Sequence, residues 1–464
     1  MGTSDHGVSC TARDAAVCKQ SMQTLGYAPI DSILQTLLGT KPKRRLPLIH
    51  RGYWLRTMAI ESCLSSLQYP IMSYQILSIG AGLDTRLFTP PWSLAHLLVE
   101  VDAEDVVAAK QKALAGHLLP SQYHLCAVDL GNPIALQEAL RSVGWDPERP
   151  TIILAECVLA YLPPSALHPL LSMLSAWHTD AVMISFDPLR LNDVYGKTLL
   201  EYFRVKGCSL RDPSVHLDIH HRQQLWMTAG WTQGVTTDLN DIYQKWMSET
   251  ARCALLELEP FDEGEEWYLY NAHYALSVMR TKRAIEWPTG AYAATFVYLD
   301  HDLFLRPVHA SDHSKLCTFF KMCHENNMKK YNKVHQFITH AVKKELVIAT
   351  ERYALSKKSI FLLVVHPNDG IVGCGGFKND GQTAFISHVA VHPSWQKKGV
   401  GSKLCIELEK RAKALEYTTM VAETFPFSQD AFAFYLKNGY HKIMSLASSD
   451  KNGLDRWEKT LTNY

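Results

Sequence analysis

The sequence predicts two α/β domains in series, the first built on an open, mostly parallel sheet. Three observations carry this. From Gln75 to about residue 186, short apolar runs alternate with amphipathic stretches, the pattern of strand–helix–strand units. Between Thr281 and Thr295, where Lys282, Arg283, Pro288 and Gly290 lie, the pattern loses its period. A second αβ pattern starts at Leu303, and 464 residues are too many for one hydrophobic core. The expected boundaries are a first domain over 1–282, a linker over 283–300 and a second domain over 301–464.

Taken in order, residues 11–38 read as helical, with Val17, Met22 and Leu25 at helical spacing before Gly26. Lys41 to Arg45 is a basic run that suits a solvated loop. His50-Arg51-Gly-Tyr53-Trp-Leu-Arg56 follows, placing two arginines around aromatics before a helix expected over Thr57 to Ser65. A guanidinium offers a rigid fork of donors, so Arg51 or Arg56 is suited to holding a carboxylate. Strands are expected near 75–79, 97–101, 124–129, 151–155 and 181–186, and helices near 103–116, 132–142 and 164–176. The stretch after Asp187 is less regular and suits an insertion over substrate. Glu257 to Glu266 reads as a solvated acidic face, and Tyr274 to Met279 as a closing strand.

The chemistry concentrates at strand ends. QILSIGAGLDTRLF, Gln75 to Phe88, runs a buried strand into Gly80-Ala-Gly82. Such a pair lets a ligand approach the backbone, although tight turns use glycine equally. The next strand ends in Glu100-Val-Asp102, where an acid is placed to take a ribose diol. Asp129 can accept from an adenine amino group while Leu130 packs against the ring, and Glu156 closes the following strand. Asp102 and Glu156 can each be helix caps instead; their shared position, with Gly80 and Gly82, points to one crevice binding an adenosine cofactor.

In the second half, helices are expected near 311–325 and 331–346, and strands near 360–365, 370–377 and 384–391. Phe385 to Val391 leads into His392-Pro-Ser-Trp-Gln396-Lys397-Lys398-Gly399-Val400-Gly401 and an amphipathic helix. Glycines at a helix start leave backbone N–H groups pointing one way, and with Lys397 and Lys398 they suit a pyrophosphate. Tyr435, in a short helix before Gly439-Tyr440, has a phenol able to protonate a departing thiolate.

The bulk numbers bound the class. Charged residues make up 20% and hydrophobic ones 47%, as in ordinary globular proteins. A net charge of +1 gives no support to nucleic-acid binding or to a polybasic membrane surface, so nucleic acid is not the expected partner. Eleven cysteines are scattered without CxxC pairs or a Cys/His cluster, so no metal is expected. The start, MGTSDHG, has no apolar h-region, and no stretch is long and apolar enough to span a bilayer. A reduced, cytoplasmic enzyme fits best.

Residues 9 to about 280 resemble the leucine carboxyl methyltransferase family, which includes wybutosine-synthesising enzymes. The resembling pieces are TARDAAVCK, IHRGYWLRT, ILSIGAGLDTRLF, VEVDAED, VDL and AECVLAYLPP. The resemblance implies a class I, Rossmann-like fold binding S-adenosylmethionine. Lys19 and Arg56 would contact the methionine end of the cofactor or the substrate carboxylate, and Gly80 the methionine moiety. Asp102 would take the ribose, Asp129 and Leu130 the adenine, and Glu156 with Tyr161 would border the reacting centre. Arg51 and Tyr53 stand as substrate-binding candidates. Where the family often shows a Tyr-Glu-Gln-like element, this chain has Phe186-Asp187-Pro188, which weakens the inference about which carboxylate is methylated.

Residues 303 to 445 resemble the GCN5-related N-acetyltransferase (GNAT) family, an α/β domain with a mixed sheet. Gln396 to Gly401 matches its coenzyme A motif, and Ala433-Phe-Tyr435 with Gly439-Tyr440 its later segment. The resemblance implies acetyl-CoA held beside a splayed strand, with backbone amides of Val389 and Val391 on the pantetheine. It makes Tyr435 the general acid, and leaves His388 and Glu423 as candidate bases at the substrate. The expectation is a bifunctional transferase whose acceptors are a carboxylate, on a protein C-terminus or a small molecule, and an amine. Two alternatives stand beside it: one catalytic domain with the GNAT half as an acetyl-CoA-binding or docking module, or carboxyl methylation of a modified tRNA side chain.

Overall fold

Gln75–Ile79, the first strand (β1), is buried at every position because it lies inside a sheet covered on both faces. The computed structural model describes residues 5–39, 43–63, 70–211, 217–247, 249–281, 296–299, 303–308, 312–354, 357–366, 368–443 and 454–461. It divides into two units, Met1–Gly290 and Ala291–Tyr464.

In the first unit, α1 (Asp5–Thr24), α2 (Ser32–Leu38) and α3 (Pro47–Ser62) precede β1. Then come β2 (Leu97–Asp102), α4 (Glu104–Leu114), β3 (Tyr123–Ala127), α5 (Pro133–Ser142), β4 (Thr151–Glu156), α6 (Pro164–Trp177) and β5 (Ala181–Pro188). The unit closes with α7 (Val194–Val205), α8 (Ile219–Thr228), β6 (Gln233–Asp238), α9 (Leu239–Lys245), α10 (Glu249–Leu258), α11 (Gly264–Ala272) and β7 (Tyr274–Arg280). The strand order is β3-β2-β1-β4-β5-β7-β6, with β1 to β5 parallel and β7 antiparallel to both neighbours. The order reverses between β1 and β4, so the ligand crevice belongs at their carboxyl ends.

Four expectations change here. The stretch 11–38 is two helices, because Gly26 adopts φ +85° and Asp31 starts α2 by accepting from the Ile33 and Leu34 N–H groups. The arginines of 50–56 lie within α3, which starts at Pro47, a residue suited to a first helical position. The stretch after Asp187 contains regular helices α7 and α8, while Asp212 and Pro213 lie outside the described residues. The acidic segment 257–266 is not solvated throughout: Glu259 is buried and accepts from Tyr27, His50 and Arg44.

The second unit contains β8 (Phe296–Tyr298), β9 (Phe304–Pro307), α12 (His313–Cys323), α13 (Glu325–Lys330), α14 (Asn332–His340), α15 (Ala349–Arg352), β10 (Ile360–His366), β11 (Gly370–Asp380) and β12 (Thr383–Val391). After them come α16 (Val400–Ala414), β13 (Thr419–Thr424), α17 (Gln429–Lys437), β14 (His441–Ile443) and β15 (Asp455–Thr460). The order is β8-β9-β10-β11-β12-β13-β15-β14; among the described residues only β12 and β13 are parallel.

Alternation along β10 sends Ile360, Leu362 and Val364 to one core and Phe361 and Leu363 to the other. On β12, Ala384 and Ile386 join the first core but Ala390 joins the second. The parity changes because the β11–β12 register slips between Cys374 and Gly376 and His388 takes φ +56°. A one-residue bulge of this kind turns the following side chains over.

Candidate functional sites

At the carboxyl ends of β1, β2 and β4 the first unit has a cavity of about 560 Å³, walled by parts of α1, α3 and α7. Gly80 and Gly82 turn the chain there with φ +62° and +53°. A Cβ at Gly80 would lie 2.3 Å from Val158 Cγ2, so no other residue fits without displacement. Asp102 holds this turn: its Oδ2 accepts from the Gly82 N–H at 2.7 Å and its Oδ1 from the Ala103 N–H at 2.8 Å. Burial pushes its carboxyl up, against the pull of those two N–H groups. Each oxygen keeps acceptor capacity for a diol.

The floor is an ionic network. Lys19 Nζ contacts Asp84 Oδ1 at 2.6 Å, and Arg86 Nη1 lies 3.1 Å from Asp84 Oδ2. Arg86 also reaches Glu156 Oε2 at 3.0 Å and Glu61 Oε1 at 3.2 Å, while Arg56 Nε donates to Glu156 Oε1. Burial alone would raise both acids, but Arg86 and Lys19 hold Asp84 far below the carboxylate range, and Arg56 and Arg86 lower Glu156. Both are carboxylates at neutral pH. Lys110, fully buried, joins the Asp84 carbonyl at 2.6 Å to Glu100 at 2.5 Å and so fixes the loop from below.

Lys19, Tyr53, Arg56, Gly80, Asp102, Glu156 and Tyr161 thus meet around one cavity. Arg51 does not. It is 2% exposed, donates to the Leu255 and Glu259 carbonyls and lies 4.3 Å over the Phe261 ring. It anchors α3, a correction to its reading as a substrate clamp. Asp129 and Leu130 fall just past β3 and are not among the lining residues; Asp129 accepts from the Gly131 N–H at 2.8 Å. In the basic run, Arg44 pairs with Glu259 and Arg45 with Asp14, while Lys41 lies outside the described residues.

Other lining groups carried no clear sequence signal. Tyr195, Tyr202 and Phe203 come from α7, Tyr270 from α11 and Tyr274 from β7, making one wall aromatic. Asp84 and Arg86 were visible in GLDTR, two residues apart in the glycine turn, and their charge was the available clue. Asp187, in place of the family's usual element, is buried and accepts from the Leu159 and Ala160 N–H groups at 3.1 and 3.4 Å. It thereby holds the turn that carries Tyr161.

In the second unit, β12 and β13 pair only from Thr383 with Thr419 to Phe385 with Val421, and then part. β12 runs on through Val389 to Val391, whose carbonyl accepts from Gln396 Nε2 at 3.2 Å. Lys397 and Gly399 adopt φ +62° and +86°, and Gly399 caps α16. Val400 points into the core, and a Cβ at Gly401 would meet Phe434 at 2.9 Å. Lys397 and Lys398 are exposed, with Lys398 Nζ 4.8 Å over the Trp395 ring.

Tyr435 is buried between Phe434, Tyr440 and Trp457, and burial raises its phenol so that it stays protonated at neutral pH. His388 Nδ1 bonds the Tyr353 hydroxyl at 2.7 Å, which also bonds Ser387 at 2.8 Å. Burial pulls the imidazole down to about 4, despite the Glu345 carboxylate 3.7 Å from Nε2. Glu423, on β13, lies 4.0 Å from Arg456.

Residues 20–175 match the family model for leucine carboxyl methyltransferase, and residues 325–440 that of the acetyltransferase (GNAT) family. The chain thus joins a region that matches the leucine carboxyl methyltransferase model to a region that matches the GNAT model. A tRNA wybutosine-synthesizing protein 4 from Rattus norvegicus is 32% identical over 299 residues, covering 58% of this chain and 43% of that protein. The chain therefore spans under half the length of that relative. A leucine carboxyl methyltransferase 1 homolog from Arabidopsis thaliana is 28% identical over 293 residues, covering 58% of this chain and 88% of that protein. Among solved structures, the PaiA N-acetyltransferase from Thermoplasma acidophilum in complex with coenzyme A is 19% identical, with a TM-score of 0.30. That match covers 34% of this chain and 98% of the other. Among the described residues there is no group of His, Cys, Asp and Glu that could hold a metal, and no helix long and apolar enough to cross a membrane.

Proposed function

We propose that the first unit transfers a methyl group from S-adenosylmethionine to a carboxylate, and that the second transfers an acetyl group from acetyl-CoA to an amine. The cavity at the β1/β4 switch point carries the first reading, since it combines a glycine turn, a strand-end acid and a charged floor with an aromatic wall. These residues fit the cofactor: Gly80 and Gly82 present bare backbone to the cavity, Asp102 has acceptor capacity for a ribose, and the carboxylates of Asp84 and Glu156 suit its cationic end. When bound, S-adenosylmethionine supplies an electrophilic methyl.

The protein has little proton chemistry to do, because an acceptor carboxylate is already ionised near pH 7. Its work is orientation and exclusion of water. Arg56 uses Nε on Glu156 and keeps further N–H donors for an acceptor carboxylate. The tyrosines and Phe203 give that acceptor's body an apolar wall.

For the second unit, the amine nitrogen forms a bond to the acetyl carbon while the carbon–sulfur bond breaks. The amine proton leaves to a base, and the thiolate is protonated by Tyr435. Of the two candidate bases, Glu423 has the accessible group, its side chain being 26% exposed against 2% for His388.

A second reading of the methyl acceptor, a carboxylate on a modified tRNA nucleoside, is favoured by the similarity to the rat protein. Incubation with S-adenosylmethionine and either a peptide ending in leucine or total tRNA, measuring S-adenosylhomocysteine, separates the two. Formation with the peptide alone supports the first acceptor, and with tRNA alone the second. No formation with either, or formation independent of acceptor, contradicts both.

A further inference from the structure

His273 is not among the residues lining the first unit's cavity, yet it touches the elements that form the aromatic wall. It stands between α11 and β7 with 1% of its side chain exposed. Its Nδ1 bonds the Leu269 carbonyl at 2.7 Å, and its Nε2 lies 2.9 and 2.8 Å from the two carboxylate oxygens of Asp193. Asp193 in turn caps α7, accepting from the Gly196 N–H at 2.8 Å. Burial raises its carboxyl, but the Gly196 N–H and the His273 ring outweigh this and hold it below the usual range. It is a carboxylate at neutral pH.

The two partners of the ring fix its proton count. A carbonyl and a carboxylate can only accept, and a neutral imidazole has one N–H and one bare nitrogen. Both bonds are made together only when both nitrogens carry hydrogen, so the buried ring is an imidazolium. The tyrosines of the wall are spaced around this one cation. Tyr195 follows Asp193 by two residues, and its ring lies 4.3 Å from the His273 ring; Tyr270 follows Leu269, and Tyr274 follows His273. All three line the cavity. The start of α7 has one seat: a Cβ at Gly196 would lie 2.3 Å from the Arg190 carbonyl oxygen.

We infer that His273 and Asp193 are positioning residues for the methyl acceptor, and that the proton they share seats the aromatic wall against the acceptor's body. The inference rests on the methyl-transfer reading and adds to it the pair that shapes the acceptor side of the cavity. When the ring loses a proton it keeps one bond. A bare Nε2 faces the Asp193 carboxylate and releases α7, or a bare Nδ1 faces the Leu269 carbonyl and releases α11. The neighbouring groups do not replace that proton. Arg190, between β5 and α7, donates to the Ala272 carbonyl and is paired with Asp238, at the end of β6, at 3.2 Å. Burial raises the phenols of Tyr195, Tyr270 and Tyr274, which stay neutral.

The test follows the full chain from about pH 6 to about pH 9, the range in which a histidine proton is exchanged. It reads the KM for the leucine-terminated peptide or tRNA, and the hydrogen-exchange protection of α7 corrected for intrinsic rates. In the wild type KM should rise, and protection fall, about tenfold as pH increases, with kcat changing less. Asp193→Asn is the discriminating variant. Asparagine still caps a helix, and its amide donates to a bare Nε2, so a neutral ring with hydrogen on Nδ1 satisfies both partners. Its profile should be flat, with the wall held throughout. His273→Gln should show raised KM and weakened protection at every pH. A flat wild-type profile, or an Asp193→Asn profile as steep as the wild type's, overturns the inference and leaves methyl transfer standing. Turnover of neither acceptor overturns the methyl-transfer reading and the acceptor role with it.

Discussion

Arg56 and Glu156 form an ion pair on the floor of the first unit's cavity, with Arg56 Nε donating to one oxygen and Arg86 taking the other at 3.0 Å. The pair joins α3 to the end of β4, so it sets where a guanidinium fork can meet an acceptor. Arg56→Lys keeps the charge but not the fork or the stacking over Tyr53 and Phe186. We expect kcat/KM for the methyl acceptor to fall about tenfold or more, with affinity for S-adenosylmethionine less affected. Titration calorimetry beside steady-state kinetics measures both.

Arg86→Met should cost about 3 kcal/mol, because it leaves Asp84 and Glu156 short of a buried partner. The pH dependence has a definite sign. Glu156 is depressed in the fold, so its contribution is present above its ordinary 4.5 and is lost as pH falls through the folded value. The gap between variant and wild type should therefore be widest near pH 7 and narrow in acid. Urea unfolding across that range checks this, and a gap that widens in acid contradicts the network.

How much of this was legible follows from the range of each signal. Strand ends were readable because buried parallel strands are continuous apolar runs, and Gly80, Asp102 and Glu156 terminate them. Arg51 and Arg56 could not be separated by composition. They stand five apart on α3, about 140° around the helix axis, so only one can face the cavity. The aromatic wall was hidden for another reason: α7, α11 and β7 meet across a sheet, and no local pattern brings Tyr195, Tyr270 and Tyr274 together. The bulge at His388 was hidden too, because Phe385 to Val391 reads as an even alternation.

Asp102→Ala should raise the dissociation constant for S-adenosylmethionine about tenfold or more, having lost acceptors for the Gly82 turn and for the ribose. The rate at saturation should change less. Calorimetry showing unchanged affinity would remove Asp102 from the cofactor site.

Gly80→Ala sets a Cβ against Val158 and demands φ +62° of an alanine. About 1–2 kcal/mol of backbone cost adds to the clash. Val158→Ala in the same chain should recover part of the steric cost, since the Cβ at 158 still lies 2.7 Å away, and none of the backbone cost, as thermal unfolding of the single and double variants will show.

Tyr435→Phe should slow acetyl transfer while acetyl-CoA binding is retained, since the ring stays packed between Tyr440 and Trp457. An unchanged rate excludes the phenol as the acid.

The most direct test of the central claim is the chemical nature of the methylated product. After reaction with methyl-labelled S-adenosylmethionine and a leucine-terminated peptide or tRNA, mild base should release the label as methanol, as a methyl ester requires. Label that survives base, or no transfer at all, contradicts carboxyl methylation by this cavity.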